Sequence, residues 1–294
     1  MCRITAAISP RPASSGDLLY GNPKSLLAQA GAVSGRFQDD GWGIAYYRGA
    51  APAVIKSPGP ARRERPAFEA ASDAAVSRVA VAHLRDASNP AGLPRASLLS
   101  RDNTQPFSAD GLVFAHNGTL FIKDEIRALL GKYAAKIKGG NDSEVLFWQV
   151  VKMLDAYGSP EAALEMALDE IRTVWTSCKD AHPGRQAPYR GLNMFLASAD
   201  SLTVLCHYQL KKEGGKPMAV PSKRPLAIKT AKGALLTPGW EFGRVAWRRE
   251  KDRVVFSSEP ADAGPGWKKM NDPEIARAEL RGGKVLLDFK RITL

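Results

Sequence analysis

The segment 141–173, NDSEVLFWQVVKMLDAYGSPEAALEMALDEIRT, decides the fold class. Asn141 and Asp142 precede a helical pattern over 143–154 that carries Val145, Leu146 and Val150, with Trp148 off the apolar face. Ser159-Pro160 then opens a second helix running to about residue 173, with Ala163, Met166, Ala167 and Ile171 inside. On either side the pattern changes to short apolar runs bounded by Gly, Pro, Asn and Asp, which predict strands. These runs are 4–8, 42–47, 79–83 and 112–116 before the helix pair, and 194–199, 202–207, 254–256 and 285–289 after it. Two shorter helices are expected at 66–76, behind a proline, and at 123–130, with Ile126, Leu129 and Leu130 on one face and a stop at Gly131. Strands, a central helix pair and more strands describe an α+β layered domain, not alternating βαβ units. The stretch 207–239, rich in Lys, Pro and Gly, reads as hairpin loops within one domain, or as the join to a small C-terminal subdomain.

The bulk composition sets limits on function. With 294 residues, 44% hydrophobic and 24% charged, the chain has the make-up of an ordinary globular protein. No apolar run approaches the ~20 residues of a membrane helix, and Pro10 and Pro12 interrupt the N-terminus too early for a secretory signal. A cytoplasmic location is the expectation. Forty-two Lys and Arg against 30 Asp and Glu give a net charge of +12. The basic residues come in pairs such as Arg62-Arg63, Lys211-Lys212 and Arg248-Arg249, a pattern of solvated surface that argues against nucleic acid as partner. Cys2, Cys178 and Cys206 form no disulfide framework, and no Cys/His pair has zinc spacing among the scattered His83, His116, His182 and His207. No metal or organic cofactor is expected.

Cys2 differs from the other cysteines by its position. Removal of Met1 would leave a thiol and an α-amine on one residue. An α-amine titrates near ~8, far below lysine, so it can take up the proton of its own thiol. Further along, Arg85 stands just past an expected strand end, placed to hold a carboxylate bidentately. The run 112–116 ends in Asn117-Gly118-Thr119, where an amide side chain and a glycine N–H could serve an oxyanion, although Asn-Gly is also a common turn. Asp142 and Ser143 could cap the helix that follows, or Asp142 could grip an ammonium group.

Taken in order, Met1-Cys2, Asp40-Gly41-Trp42-Gly43, His83-Leu84-Arg85, Asn103-Thr104-Gln105-Pro106-Phe107, Phe114-Ala115-His116-Asn117-Gly118, Asn141-Asp142-Ser143-Glu144 and Phe256-Ser257-Ser258-Glu259-Pro260 resemble the class II glutamine amidotransferases, which are N-terminal-nucleophile hydrolases. The likeness is to stand-alone members without a fused synthase domain. It spans roughly residues 2 to 260 and implies one such domain over 2–294 with Met1 removed. It implies the four-layer αββα sandwich and a cysteine-dependent hydrolysis of the side-chain amide of glutamine, with a γ-glutamyl amide or peptide as the alternative substrate and a catalytically silent γ-glutamyl-binding module as the non-enzymatic one. Cys2 would be the nucleophile and Asn117 and Gly118 the oxyanion hole. Arg85 would bind the substrate α-carboxylate with help from Ser88, and Asp142 the α-ammonium. His83 and His116 would have structural roles. Glutamine or a γ-glutamyl compound would be the small-molecule partner, and a separate enzyme could accept the ammonia. One departure is Asp86 beside Arg85, where the fused enzymes carry Trp; it makes free glutamine a less secure substrate than the hydrolytic chemistry.

Overall fold

The structure, a computed structural model, describes residues 2–31, 37–89, 92–208, 212–213, 216–217, 237, 240–241 and 243–294. The chain opens with strand β1 (Arg3–Ala13), two single-turn helices α1 (Gly16–Leu19) and α2 (Leu26–Gln29), the hairpin β2 (Trp42–Arg48) and β3 (Ala51–Ser57), helix α3 (Arg65–Ala74) and strand β4 (Ser77–Leu84). A short α4 (Arg95–Leu98) precedes β5 (Phe107–Ala109) and β6 (Leu112–Leu120). The helical middle comprises α5 (Lys123–Ala128), α6 (Asp142–Tyr157) and α7 (Pro160–Cys178). Strands then return: β7 (Tyr189–Ala197), β8 (Ser201–Cys206), the short pair β9 (Lys212–Glu213) and β10 (Lys216–Pro217), then β11 (Ala246–Arg249), β12 (Val254–Ser257), β13 (Lys268–Lys269), β14 (Glu274–Arg281) and β15 (Lys284–Arg291). Apart from β9 and β10 and a few single residues, the expected hairpin loops of 207–239 lie outside the described residues, as does Met1.

Two antiparallel sheets carry the α+β architecture. One has seven strands in the order β13-β11-β12-β1-β4-β2-β3, the other six in the order β15-β14-β8-β7-β6-β5. Side chains alternate along each strand, so one strand feeds two cores. In β6, Val113 and Ala115 join Ile4, Ala6, Ile8, Val81 and Phe256 of the seven-stranded sheet in one apolar cluster. Phe114 points the other way, into a cluster with Leu146, Phe147 and Val150 of α6 and Leu164, Leu168 and Ile171 of α7. A third cluster packs Leu19, Leu26 and Phe68 from α1, α2 and α3 on Trp42, Ile44 and Ala82 of the seven-stranded sheet.

The local chemistry of the helix pair is as the sequence reads. The Asn141 side chain accepts from the Ser143 N–H at 2.9 Å and starts α6; Gly158, at φ +74°, ends it. The Ser159 side chain caps α7 through the Ala162 N–H, with Pro160 at the first position. Several expectations need correction. Trp148, expected off the apolar face, is buried, because residues around Lys136 fold over that side of α6 and its ring packs on Phe147 at 5.1 Å. Leu129 is exposed while Ile126 and Leu130 are buried, because α5 ends at Ala128 and the chain turns before Gly131. α7 continues past residue 173 to Cys178. β3, β5, β11, β13 and β14 have no counterpart among the expected runs.

The largest local correction concerns Asn117-Gly118, which form no turn. β6 runs through them to Leu120, with Asn117 opposite Asn193 and Gly118 opposite Leu192 of β7. Glycine is required here for closeness: a Cβ on Gly118 would lie 1.7 Å from the Gly191 carbonyl oxygen and 2.6 Å from His116 Nε2. Gly118→Ala is therefore expected to destabilise the protein by about 3 kcal/mol or more, since backbone must move. Gly140→Ala, where a Cβ meets nothing within 4 Å, should stay within about 0.5 kcal/mol. Urea unfolding of the two variants checks this contrast.

Candidate active site

A cavity of about 310 Å³ opens where the N-terminal end of β1, the loop after β4, the end of β6 and the N-terminus of α6 meet. Cys2 is brought there by the register of β1 against β4, which pairs Arg3 with Leu84. The Cys2 side chain is buried, with its Sγ 3.7 Å from the Asp86 carbonyl oxygen. Burial pushes the thiol pKa up. The group is thus a protonated thiol at neutrality.

The loop after β4 is fixed from below by the Asp40-Gly41 segment. The Gly41 carbonyl accepts the Arg85 N–H at 2.8 Å, and Asp40 N–H donates to the Arg85 carbonyl at 3.1 Å. The Asp40 carboxylate accepts from the Ala87 N–H at 2.8 Å and pairs with Arg95. The Arg85 guanidinium is buried and spends Nη1 on the carbonyls of Leu98 (2.7 Å) and Asp40 (3.3 Å). Burial lowers its pKa, but an arginine starts high enough to remain a cation.

On the opposite wall, Gln105 holds the strand that carries Gly118. Its Oε1 accepts the His116 N–H at 2.6 Å, and its Nε2 donates to the His116 carbonyl and to Ser143 Oγ, both at 3.2 Å. His116 Nδ1 meets Ser143 Oγ at 2.9 Å and Nε2 meets the Gly191 carbonyl at 3.1 Å, which ties β6 to α6 and β7. Asn103 Oδ1 accepts the Gly140 N–H, and Asn141 Nδ2 donates to the Asn103 carbonyl, both at 2.9 Å. Asp142 is the first residue of α6 and is not its cap. Its Oδ2 accepts the Leu120 N–H at 2.7 Å, and that bond locks the end of β6 to the start of α6.

Cys2, Arg85, Ser88, Gly118 and Asp142 all line this one cavity. Asn117 does not. It is buried beside Gly118, on the face of β6 that Val113 and Ala115 turn toward the seven-stranded sheet, and its Oδ1 has no hydrogen-bond partner among the described residues. His83 and His116 are buried behind the wall. Phe121, Lys123, Asp124, His182 and Arg185 also line the cavity, and no motif singles them out in the sequence. Arg185 lies over the Phe121 ring at 4.0 Å.

A family model described as "Glutamine amidotransferases class-II" matches residues 25–216. The chain belongs to that family. Among solved structures, the chain is similar to a glutamine aminotransferase class-II domain protein from Silicibacter pomeroyi, at 16% identity and a TM-score of 0.61, with 98% of each chain covered. It is also similar to the glutamine phosphoribosylpyrophosphate amidotransferase of B. subtilis solved with ADP and GMP, at 13% identity and a TM-score of 0.59; the match covers 98% of this chain and 49% of that one. At these identities the likeness is one of fold. No curated protein matches the sequence. The class II amidotransferase resemblance read from the ordered motifs is thus the family to which the chain belongs. Among the described residues no helix is long and apolar enough to cross a membrane.

The two histidines of the motifs make the fold acid-sensitive. Burial pushes the His83 pKa down to about 3 and that of His116 down as well. A histidine with a depressed folded pKa stabilises the protein fully above its unfolded value near 6.5, and that stability is lost as pH falls below it. His83 alone should cost about 2 kcal/mol between pH 7.5 and pH 5. Urea denaturation across this range should show the loss, and His83→Phe should flatten the slope whatever it does to stability at neutral pH.

Proposed function

We propose that this chain is a cysteine-dependent amidohydrolase that cleaves the side-chain amide of glutamine, built as a four-layer αββα sandwich of the N-terminal-nucleophile type. The layering is supported by the three apolar clusters, in which helices, sheet, sheet and helices follow one another. The chemistry is supported above all by one observation: Cys2, Arg85, Ser88, Gly118 and Asp142, from distant parts of the sequence, share one cavity.

With Met1 removed, the α-amine of Cys2 takes up the thiol proton and the sulfur attacks the amide carbon. The Gly118 N–H, at the cavity wall, stabilises the tetrahedral oxyanion, and Asn117, packed beside it on β6, joins only when its amide turns into the cavity; one such donor is commonly worth ~10²–10³ in rate. The nitrogen leaves as ammonia, carrying a proton returned from the α-amine. Water then attacks the γ-glutamyl thioester, releasing glutamate and restoring the thiol. Arg85, with Ser88, holds the α-carboxylate and Asp142 the α-ammonium, so a zwitterionic head group is matched by one fixed cation and one fixed anion. Ammonia goes to water or to a separate acceptor enzyme.

A second substrate reading has its own support. Phe121, Lys123 and Arg185 line the cavity beyond the residues that glutamine uses, and they would suit a larger group on the amide nitrogen. The protein would then hydrolyse a γ-glutamyl amide or peptide by the same steps. A screen of both substrate classes separates the readings: ammonia is the product of the first, a larger amine that of the second.

Cys2→Ala is expected to lower kcat by at least about 10⁴-fold on either substrate. Arg85→Ala should raise KM by about 10–100-fold through loss of a charge-assisted contact. Because burial keeps the thiol protonated, kcat/KM should fall as pH drops through the range of the α-amine, near ~8, with no acid plateau. Intact mass should show Met1 absent. A retained Met1, together with tight γ-glutamyl binding and no turnover, would instead make the protein a silent binding module.

A further inference from the structure

The end of α7 brings Cys178 and His182, four positions apart in the sequence, to the distant Glu125. Cys178 is its last residue, a single 3-10 turn (Lys179–Ala181) follows, and His182 comes next. The two side chains therefore leave the same helix end one turn apart, and Glu125 of α5 stands opposite them. The thiol sulfur, a ring nitrogen of His182 and a carboxylate oxygen of Glu125 lie within 4.8 Å of one another. His182 Nε2 is 2.6 Å from Glu125 Oε1, and the ring packs on Trp175 at 5.9 Å. All three side chains are half-buried. Among the described residues this is the one group of three or more such donors.

We propose that Cys178, His182 and Glu125 form a binding site for one borderline-soft divalent cation of the Zn²⁺ class. A tetrahedral zinc site with bonds of 2.0–2.3 Å sets its ligand atoms about 3.3–3.7 Å apart. His182 Nε2 and Glu125 Oε1 are 2.6 Å apart and the Cys178 sulfur lies within 4.8 Å of both partners, so the three donors stand near the spacing such a site needs. Thiolate and imidazole donors select zinc over magnesium or calcium, which prefer oxygen. The thiol gives its proton to solvent on binding, and thiolate and carboxylate together balance the ion's charge. Three protein ligands leave the fourth position for water.

The location gives the ion a purpose beyond the hydrolytic site. His182 and Arg185 line the cavity on one side, and Lys123 and Asp124, at the start of α5, line it next to Glu125. An ion held by Glu125 and by Cys178 and His182 clips these two wall segments together. It touches none of the residues assigned to the amide chemistry, so the site stands or falls independently of that assignment.

Equilibrium dialysis with Zn²⁺, and titration with Co²⁺ read by absorbance, test the proposal on the full chain. One equivalent of Zn²⁺, a thiolate-to-cobalt charge-transfer band and a zinc-dependent rise in Tm are expected. Cys178→Ser should abolish the band and the Tm rise, and His182→Gln and Glu125→Gln should each weaken affinity by at least about tenfold. Cys2→Ala should retain the band. If Cys178→Ser does not fold, as judged by circular dichroism, the two Gln variants carry the test. The proposal is overturned by the absence of stoichiometric zinc, by a band that survives Cys178→Ser, by affinity indifferent to both Gln variants, or by a band lost in Cys2→Ala.

Discussion

The position of β1 at the centre of the seven-stranded sheet is the constraint on which the rest depends. Its neighbours β4 and β12 come from residues 77–84 and 254–257, so segments far apart in the sequence must be in place before Cys2 has a fixed position. A buried ion pair secures that position. Arg3 Nε lies 3.6 Å from Glu259 Oε1, both side chains are closed to solvent, and Arg3 Nη1 donates to the Cys2 carbonyl at 3.3 Å. Removing one member of such a pair typically costs about 3–5 kcal/mol, because the other charge stays buried. The register matters equally. A slip of one residue would turn Ile4, Ala6 and Ile8 out of the inter-sheet core and carry Cys2 to the wrong face.

The motifs of the sequence both line the cavity and brace it, and Asn103 and Gln105 do the two at once. Asp40 and Gly41 shape the loop that carries Arg85. Gln105 and His116 hold β6 straight behind Gly118, and Asn103 holds the turn before α6. These braces are polar and buried, and their hydrogen bonds to backbone fix one geometry where an apolar filler would tolerate several. That explains why segments so ordinary one by one are informative in sequence order.

Much of the fold was legible for simple reasons. β1, β4 and β6 are rich in apolar residues because both faces are buried, and α6 and α7 announce their caps. β14 was missed because its buried positions include Ala276 and Ala278, which carry little strand signal, and β3 because Pro52 and Lys56 interrupt its apolar pattern. Asn117-Gly118 reads as a turn by local chemistry, whereas the need for Gly118 arises from Gly191, 73 positions away in the sequence. Of the residues that line the cavity, the ordered motifs single out Cys2, Arg85, Ser88, Gly118 and Asp142. They do not single out Phe121, Lys123 and Arg185, since these reach the cavity through loop geometry that no spacing encodes.

The assignment of Cys2 as nucleophile, acting with its own freed amine, is tested most directly by covalent labelling. The native protein would be treated with a glutamine analogue bearing an electrophilic diazoketone in place of the amide, then digested and mapped by mass spectrometry. One adduct per chain is expected, on Cys2 of a chain that begins at Cys2, with labelling suppressed by substrate. An adduct on Cys178 or Cys206 with Cys2 unmodified, or no adduct on a chain that is fully processed and folded, would contradict the assignment.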